Sequence, residues 1–469
     1  MRARPYARIS VSPRRATATP PEGRHMTTAP RQLRLAAFFT PPGSHYAGWR
    51  MPDARSADME IDDYVAMAQL AERGKLDMLF FQDSAAVASA AVNRTDDPEV
   101  QTGAARVVRI EPLTLLASLA MVTKHLGLVA TATTTYNEPY HIARRFASVD
   151  AISRGRAGWN LVTSQFEDEA FNFGADHHME HGLRYERAAE FFEVVAGLWR
   201  SWDPDAILRD KDSGRYFDPA GMHVLRHEGR FFKVRGPLNV AASPQGRPIV
   251  AQAGTSGPGR DLAARIADLT FTAQTEIPAA RAHREEMRER ARGHGRSPDA
   301  IKVMPGLNFI VAETESEARA QHEHLMSMMV DRIVLPTLAR LTGGVDLTQY
   351  PLDGPLPPLP QSNSAHGRQD MLVAMAREKN LSIRQLARHF ATANGHQVFV
   401  GTPKAMAEMM ETWLMERAAD GFMLLQPWFP TPLENFVKLV VPELQKRGVF
   451  RREYEGTTLR ENLGLPMPE

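Results

Sequence analysis

The chain has 469 residues, which suffices for one large barrel or for two to three smaller domains. Its 56 Lys and Arg residues nearly balance its 55 Asp and Glu residues, so no overall positive field exists to hold nucleic acid or an anionic membrane. The absence of cysteine excludes disulfides, thiolate metal sites and cysteine nucleophiles, and it is compatible with the cytoplasmic location that we expect.

The first 25 residues differ in composition from the rest of the chain. They contain six arginines against one glutamate, four prolines and no apolar stretch. A secretory signal and a membrane span both need an apolar stretch, so neither is predicted here. We predict a disordered Arg/Pro-rich tail over residues 1–29, with Met26 as an alternative start site, followed by a single domain over residues 30–469.

Eight short apolar segments alternate with stretches of helical spacing along this domain. They span residues 33–39, 76–82, 126–134, 156–164, 248–252, 269–273, 301–312 and 421–425. Such alternation predicts a parallel sheet with right-handed crossovers, and eight units are the number in a TIM (β/α)8 barrel. We therefore predict an α/β barrel of this type, with a doubly wound open sheet as the alternative.

Two connections in this pattern are unusually long. Residues 203–247 precede the fifth strand and contain a predicted hairpin, and residues 313–420 separate the seventh and eighth strands and include a Pro-rich segment over 350–360. Loops of this length in a compact domain are typical of lids and binding elements. We predict two insertions, the second lying over the barrel mouth. A polyproline ligand for a partner is the alternative for the Pro-rich segment.

Polar side chains end two successive predicted strands. The third strand ends in hydroxyls at Thr131 and Thr133, and the fourth runs through Asn160 to Thr163 and Ser164. Ligands of parallel α/β folds bind at the C-terminal ends of strands, so this pattern predicts a binding site. The alternative is that these residues only end strands and begin loops.

A glycine-rich segment over residues 251–260 follows the fifth strand and opens a helix. Glycines let successive backbone N–H groups face one point, and a helix N-terminus adds partial positive charge, so the segment fits a phosphate cradle completed by the Ser256 hydroxyl. It has neither the spacing of the G-x-G-x-x-G pattern nor that of a Walker loop. An ordinary glycine-rich turn is an equally good interpretation.

Three histidines lie within five residues at His177, His178 and His181. Residues four apart share a helix face, so His181 also pairs with Tyr185. A zinc site is one interpretation, but the H-E-x-x-H order is absent and no metal site is predicted. We favour a histidine and a tyrosine that donate hydrogen bonds to an anion, with the other histidines solvated. Asp83, at the end of the second strand, is either a helix cap or a ligand contact.

Together these segments resemble the bacterial-luciferase-like FMN-dependent monooxygenases. The resemblance is greatest to the branch that includes nitrilotriacetate monooxygenase component A, EDTA monooxygenase and dibenzothiophene-sulfone monooxygenase. It extends over most of the chain after the tail and is carried by residues 80–83, 130–136, 155–164, 172–174, 181, 184–185, 235–238, 252–256, 346–347, 352–356, 441–445 and 455–460. The family fold is a TIM barrel with a long late insertion.

The resemblance implies an enzyme that takes reduced FMN from a separate NAD(P)H:flavin oxidoreductase and uses O2 to oxygenate a small organic substrate, such as an aminopolycarboxylate or an organosulfur compound. It also implies a homo-oligomer. Its FMN contacts, carried over by motif, are Asp83, Thr131, His181, Tyr185 and Ser256. In this assignment Ser256, Tyr185 and His181 hold the phosphate, and Asp83 and Thr131 lie nearer the ribityl chain and the ring.

Asn160 is added to these contacts from its place at the end of the fourth strand, and Thr133 is the alternative to Thr131 because it lies on the same strand face. No catalytic acid or base is assigned, and the loop over residues 41–49 carries no substrate signature. An F420-dependent oxidoreductase on the same barrel and a non-enzymatic flavin-binding relative remain as alternative functions.

Overall fold

The computed structural model describes residues 31–55, 60–87, 107–360 and 366–468. Its strands are β1 (Arg34–Phe39), β2 (Met78–Phe81), β3 (Gly127–Thr133), β4 (Ala157–Val162), β5 (His227–Glu228), β6 (Lys233–Val234), β7 (Ile249–Gln252), β8 (Leu269–Thr272), β9 (Lys302–Val311), β10 (Gln397–Gly401) and β11 (Gly421–Leu425). The predicted tail over residues 1–29 lies outside the described residues and stays a prediction.

Eight of these strands close into a parallel barrel in the order β11, β1, β2, β3, β4, β7, β8 and β9, with β9 pairing back to β11. The predicted TIM barrel is thereby confirmed, and each of its strands lies in one of the eight predicted segments. β10 was not predicted. It pairs with the far end of the long strand β9, next to the barrel rather than in it.

Helices connect and cover the strands. They are α1 (Ile61–Arg73), α2 (Pro112–Val122), α3 (Pro139–Ser153), α4 (Asp168–Asn172), α5 (His181–Trp199), α6 (Gly257–Ile266), α7 (Ile277–Gly293), α8 (Glu315–Ser327), α9 (Asp331–Leu341), α10 (His366–Glu378), α11 (Ile383–Ala393), α12 (Pro403–Met415), α13 (Thr431–Asn435), α14 (Val441–Lys446) and α15 (Leu459–Asn462). In the described ranges no helix is long and apolar enough to cross a membrane.

The C-terminal segment closes the lower end of the barrel, at the N-terminal ends of the strands. Leu459 and Leu463, on and after α15, pack with the side chains that fill the barrel interior. Two buried ion pairs fix this segment, because Arg451 contacts Asp77 at 2.5 Å and Arg460 contacts Asp268 at 3.3 Å. The C-terminal segment therefore covers the lower end of the barrel, opposite the ends of the strands at which ligands bind in TIM barrels.

The two insertions have ordered structure of their own. The first contains the predicted hairpin, formed by β5 and β6. The second contains α8 to α11 and β10 and has a separate hydrophobic core around Leu338, Leu386 and Phe390. Tyr46, from the loop after β1, packs against that core, so the second insertion contacts the upper end of the barrel.

Candidate active site

A cavity of about 1230 Å³ opens at the C-terminal ends of the barrel strands, where TIM barrels build their active sites. Its two sides differ in chemistry. The polar half includes Asp83, Thr131, Thr133, Asn160, Ser164, Glu169, His181, Arg184, Tyr185, Gln252 and Ser256, and the cavity is also lined by Arg109, Glu111, His141, Arg144 and Arg145. The apolar half comprises Phe38, Tyr46, Phe271, Thr272, Ile333, Leu341, Met371, Phe390, Asn394, His396 and Leu425.

Thr131 and Asn160 occupy directly opposed positions on β3 and β4, so their side chains lie side by side in the barrel mouth. The Asn160 amide donates to Thr131 Oγ1 at 2.8 Å, and the Thr131 hydroxyl donates to the Phe81 carbonyl at 2.8 Å. Asn160 Oδ1 is buried without a hydrogen-bond partner among the described residues. Because buried polar atoms are normally paired, this oxygen is a candidate ligand acceptor.

A second chain of hydrogen bonds ends at a buried carboxyl group. The Thr135 N–H donates to Thr133 Oγ1, which lies 2.8 Å from the Ser164 hydroxyl, and Ser164 donates to Glu169 at 2.9 Å. Burial raises the pKa of Glu169. Ser164 has a φ of 49°, in the left-handed region that a non-glycine residue adopts only when its surroundings impose it.

Arg184 is 1% exposed and joins the end of β4 to the segment before α5. Its guanidinium donates to the Ser164 carbonyl and to His178 Nε2. Because a guanidinium has no acceptor, Nε2 must be the unprotonated nitrogen, and Nδ1 carries the proton that it donates to the Tyr136 hydroxyl at 2.6 Å. Burial and the Arg184 charge lower the pKa of His178 to about 4, so this histidine is neutral at pH 7.

Asp83 lies at the opposite edge of the polar half, directly after β2. Burial raises the pKa of its carboxyl group to about 6, although Arg109 and the Ser84 N–H oppose the shift. Arg109 Nη1 is 4.0 Å from Asp83 Oδ1, at the limit of an ion pair. Asp83 is thus a partly buried carboxyl group whose charge changes close to neutral pH.

Ser256 caps the N-terminus of α6, where its hydroxyl accepts from the Gly259 N–H at 3.2 Å. Glycine at position 259 is required for a close approach, because a Cβ there would lie 3.0 Å from both the Tyr185 hydroxyl and Gly254 Cα. His181 lines the same recess, which has a volume of about 460 Å³. The N-terminus of α6 and the side chains of His181, Thr255 and Ser256 therefore line one recess, together with Arg260 and Asp370.

Local capping and hydrogen bonds position His181, Tyr185 and the glycine-rich turn. The Glu180 side chain accepts from the N–H groups of Gly182 and Leu183 and so caps α5, which places His181 at its first residue. Tyr185 follows one turn later, with the two ring centroids 5.0 Å apart. Gln252 lies at the end of β7, and its Oε1 accepts from the Gly254 N–H at 2.6 Å, which holds the glycine-rich turn against the strand.

The apolar half is built on an aromatic cluster. The Phe271 ring centroid is 5.0 Å from that of Phe38, and Phe80 lies below both in the barrel interior. His396 stacks on Phe271 with a centroid distance of 4.7 Å and an interplanar angle of 13°. A Cβ at Gly306 would lie 2.4 Å from His396 Nδ1, so the glycine in β9 makes room for this imidazole.

All six residues predicted to bind the cofactor line this one cavity, in its polar half. Their role as FMN contacts stays a prediction. The expectation that the histidines other than His181 are solvated holds for His177, whose side chain is 88% exposed, and is wrong for His178, which is 9% exposed and bound between Tyr136 and Arg184. In the part of the chain that the structure describes, no group of three or more potential ligands could hold a metal ion.

Sequence reasoning missed Glu169, Gln252 and His396. Glu169 lies in the short helix α4, five residues after Ser164, and His396 directly precedes β10. Single polar residues at such positions are usually on the surface. Gln252 ends the fifth predicted strand, and its place at a strand end was the signal that could have identified it as a site residue.

Comparisons with known proteins agree with this geometry. The model of the luciferase-like monooxygenase family matches residues 36–420. Nitrilotriacetate monooxygenase component A from Aminobacter aminovorans is 48% identical to this chain, and the alignment covers 94% of this chain and 98% of the relative. Dibenzothiophene-sulfone monooxygenase from Rhodococcus erythropolis (strain XP) is 38% identical, and the alignment again covers 94% of this chain and 98% of the relative. The crystal structure of DmoA from Hyphomicrobium sulfonivorans superposes with a TM-score of 0.83 at 32% identity, covering 92% of each chain.

These findings confirm the resemblance inferred from the sequence motifs, including the branch that it named. A match of the family model over more than half of the chain, together with relatives of this identity along nearly their whole length, cannot come from the barrel fold alone. This chain is a monooxygenase of the luciferase-like monooxygenase family.

Proposed function

We propose that this protein is the oxygenase component of a two-component system that depends on FMNH2. A separate NAD(P)H:flavin oxidoreductase would supply the reduced flavin, and the oxygenase would use it with O2 to oxidise a small organic molecule. Support comes from the relatives, one of which is named as component A of a monooxygenase, and from a cavity whose polar half suits a phosphorylated flavin.

The anion recess at the start of α6 is the observation that carries this proposal. Ser256 and His181 line the recess, and the Tyr185 hydroxyl lies beside Gly259 in the first turn of α6. The partial positive charge at the helix N-terminus favours a phosphate there. Asn160 Oδ1 offers an acceptor for a flavin N–H or a ribityl hydroxyl. The residues present therefore fit FMN at both its phosphate and its polar atoms.

Bound reduced flavin supplies the electrons that activate O2, and the protein's part is to bind, orient and exclude water. Asp83, with its raised pKa, can hold a proton in the polar half near pH 6, where it faces the proposed ring and ribityl region. Helices α9, α10 and α11 of the second insertion contribute Ile333, Met371 and Phe390 to the lining of the cavity.

Anaerobic titration with FMNH2 tests the proposal directly. We expect saturable binding of FMNH2 and, with an added flavin reductase and NADH, oxygen uptake that depends on this protein and on a substrate. Absence of FMNH2 binding would end the proposal. Preference for reduced F420 over FMNH2 would instead favour the F420-dependent alternative, and binding without substrate-dependent oxygen uptake would favour a non-enzymatic flavin-binding protein.

Two substitutions test the phosphate assignment. Ser256→Ala and Tyr185→Phe should each weaken FMN binding by about 1–3 kcal/mol, the usual loss for a hydrogen bond to a charged group. Tyr140→Phe is the matched control, because the Tyr140 hydroxyl lies 3.5 Å from Asn239, away from the cavity. Unchanged affinity in both test variants would refute the assignment.

Asp370 favours FMN over F420. This residue, on α10, also lines the anion recess. A single phosphate can bind between the α6 N-terminus and His181, whereas a cofactor with a longer polyanionic tail would meet this carboxylate and be repelled. We also propose a cytoplasmic homo-oligomer, which gel filtration with light scattering and cell fractionation would test.

A further inference from the structure

The apolar half of the cavity is not used by any of the proposed FMN contacts. Those contacts lie on β3, β4 and α5 and in the segments after β2 and β7, whereas the apolar half is built on β1, β8, β11 and the second insertion. We infer that the apolar half is the substrate pocket and that it takes an uncharged, mainly apolar molecule with one hydrogen-bond acceptor. This inference rests on the proposed function and narrows its substrate class.

Side chains from three helices of the insertion form the outer wall of this pocket. Ile333, Met371 and Phe390 come from α9, α10 and α11, and they face the Phe38 and Phe271 rings across the cavity. Apolar surface buried between such walls favours binding by about 25 cal/mol per Å². A substrate whose main part is an aromatic ring or a branched aliphatic group suits this pocket, and a strongly hydrated substrate does not.

The arginines of the cavity lining, Arg109, Arg144, Arg145 and Arg184, lie outside the apolar half. No residue of the apolar half carries a carboxylate, guanidinium or ammonium group. The Arg184 guanidinium already donates to His178 and to a backbone carbonyl, and Arg109 lies beside the Asp83 carboxyl. A carboxylate in the apolar half would lose its hydration without gaining a counter-charge, so this half disfavours a tricarboxylate such as nitrilotriacetate.

One hydroxyl in the apolar half is available to a ligand. Thr272 Oγ1, at the end of β8, lines the cavity, and the residue is 5% exposed. This hydroxyl has no hydrogen-bond partner in the described ranges. An unpaired buried hydroxyl is costly, so a substrate oxygen that accepts from Thr272 would gain affinity and orientation. His396, stacked on Phe271, supplies a second polar group on the same strand side.

A neutral fluorescent probe tests the pocket without knowledge of the natural substrate. N-phenyl-1-naphthylamine should bind the full-length protein with enhanced fluorescence, and dibenzothiophene sulfone should displace it while nitrilotriacetate should not. Absence of probe binding, or displacement by nitrilotriacetate, would overturn the inference. Oxygen uptake stimulated by nitrilotriacetate in the presence of reductase and NADH would overturn it as well.

Substitutions locate the bound probe. Met371 is only half-buried, so Met371→Arg can fold, and it should weaken probe binding at least about tenfold by introducing a charge into the apolar wall. Met371→Leu is the conservative control and should stay within about threefold. Equal probe binding by Met371→Arg and the unmodified protein would place the probe elsewhere and contradict the inference.

Thr272→Val tests the acceptor. It should weaken displacement by dibenzothiophene sulfone about fivefold, the effect of one lost hydrogen bond, and leave binding of the fluorescent probe unchanged. Equal displacement of the probe by the sulfone from Thr272→Val and from the unmodified protein would show that Thr272 does not donate to the substrate. FMNH2 titration of the same preparations distinguishes failure of the proposed function from failure of the substrate class. The proposed function is contradicted if FMNH2 does not bind, and the substrate class is contradicted if the probe results are reversed.

Discussion

The polar and apolar halves of the cavity are held together in different ways. In the polar half, side chains are fixed by one another, as in the bonds from Asn160 to Thr131 and from Thr131 to the Phe81 carbonyl. In the apolar half, rings such as Phe38 and Phe271 are fixed by packing alone. A polar network tolerates few changes because each loss leaves a buried group unpaired, whereas apolar walls can change size at smaller cost. With the cofactor in the polar half and the substrate in the apolar half, as we propose, a barrel of this kind can keep its cofactor while its substrate changes.

The largest expected effect is in the polar network. Arg184→Met keeps the volume but removes the donors to His178 and to the Ser164 carbonyl, so two buried acceptors lose their partner. We expect the free energy of unfolding to fall by about 4 kcal/mol, as measured by chemical denaturation. Arg230→Met is the control, because the side chain of Arg230 is 67% exposed and its ion pair with Glu186 should contribute less than about 1 kcal/mol.

A small loss in Arg184→Met would contradict the view that the polar half depends on its hydrogen bonds. The sequence pattern around this residue did not reveal that role. Arg184 was quoted only as part of the family resemblance, and a helical arginine is usually solvated. Its burial follows from the tertiary contact of α5 with the end of β4, which no local pattern encodes.

The polar half was largely predictable because each of its signals is local. Thr131 and Asn160 end strands, and Ser256 precedes a helix inside a glycine-rich segment, so strand-end and capping rules identified them from neighbouring residues alone. The apolar half was not predictable. Phe38 and Phe271 are indistinguishable in sequence from core residues, and Met371 reaches the cavity only because the insertion folds over the mouth.

The same distinction applies to the fold. The eight barrel strands were predictable because they are apolar and regularly spaced. β10 was not, since Gln397 to Gly401 is short, partly exposed and paired only with the extension of β9. Pairing with a strand that continues beyond the barrel is a tertiary property of β9, whose ten residues exceed what the barrel alone uses.

The next effect concerns the aromatic cluster of the apolar half. Phe271→Ala removes a ring that contacts Phe38, Phe80 and His396, and we expect a loss of about 3 kcal/mol in the free energy of unfolding. Phe173→Ala is the control, because Phe173 is 50% exposed and should lose less than about 1 kcal/mol. If the two halves are separate sites, FMN affinity should change little in Phe271→Ala. A large drop in FMN affinity would show that the two halves form one binding site.

A smaller effect is expected where β3 meets β4. Thr131→Val conserves shape but leaves the Asn160 amide and the Phe81 carbonyl without their hydroxyl partner, which should lower the free energy of unfolding by about 2 kcal/mol. Thermal denaturation followed by circular dichroism would measure it. Thr348→Val, at an exposed hydroxyl bonded to Asp346, is the control. Equal stability of the two variants would show that the polar half does not rely on this pair.

The smallest expected effect depends on pH. Burial raises the pKa of Asp83 from the usual 3.8 to about 6, so the folded state binds the proton more tightly than the unfolded state. Asp83 therefore lowers the free energy of unfolding as pH rises from about 4 to 6, and Asp83→Asn removes that loss. We expect the stability gained by Asp83→Asn to increase by about 1 kcal/mol between pH 5 and pH 8 in urea titrations. Asp212→Asn, on the exposed surface, should show no such trend. A gain for Asp83→Asn that is the same at both pH values would mean that its carboxyl group is solvated, and the polar half would then lack a proton-holding group near neutral pH.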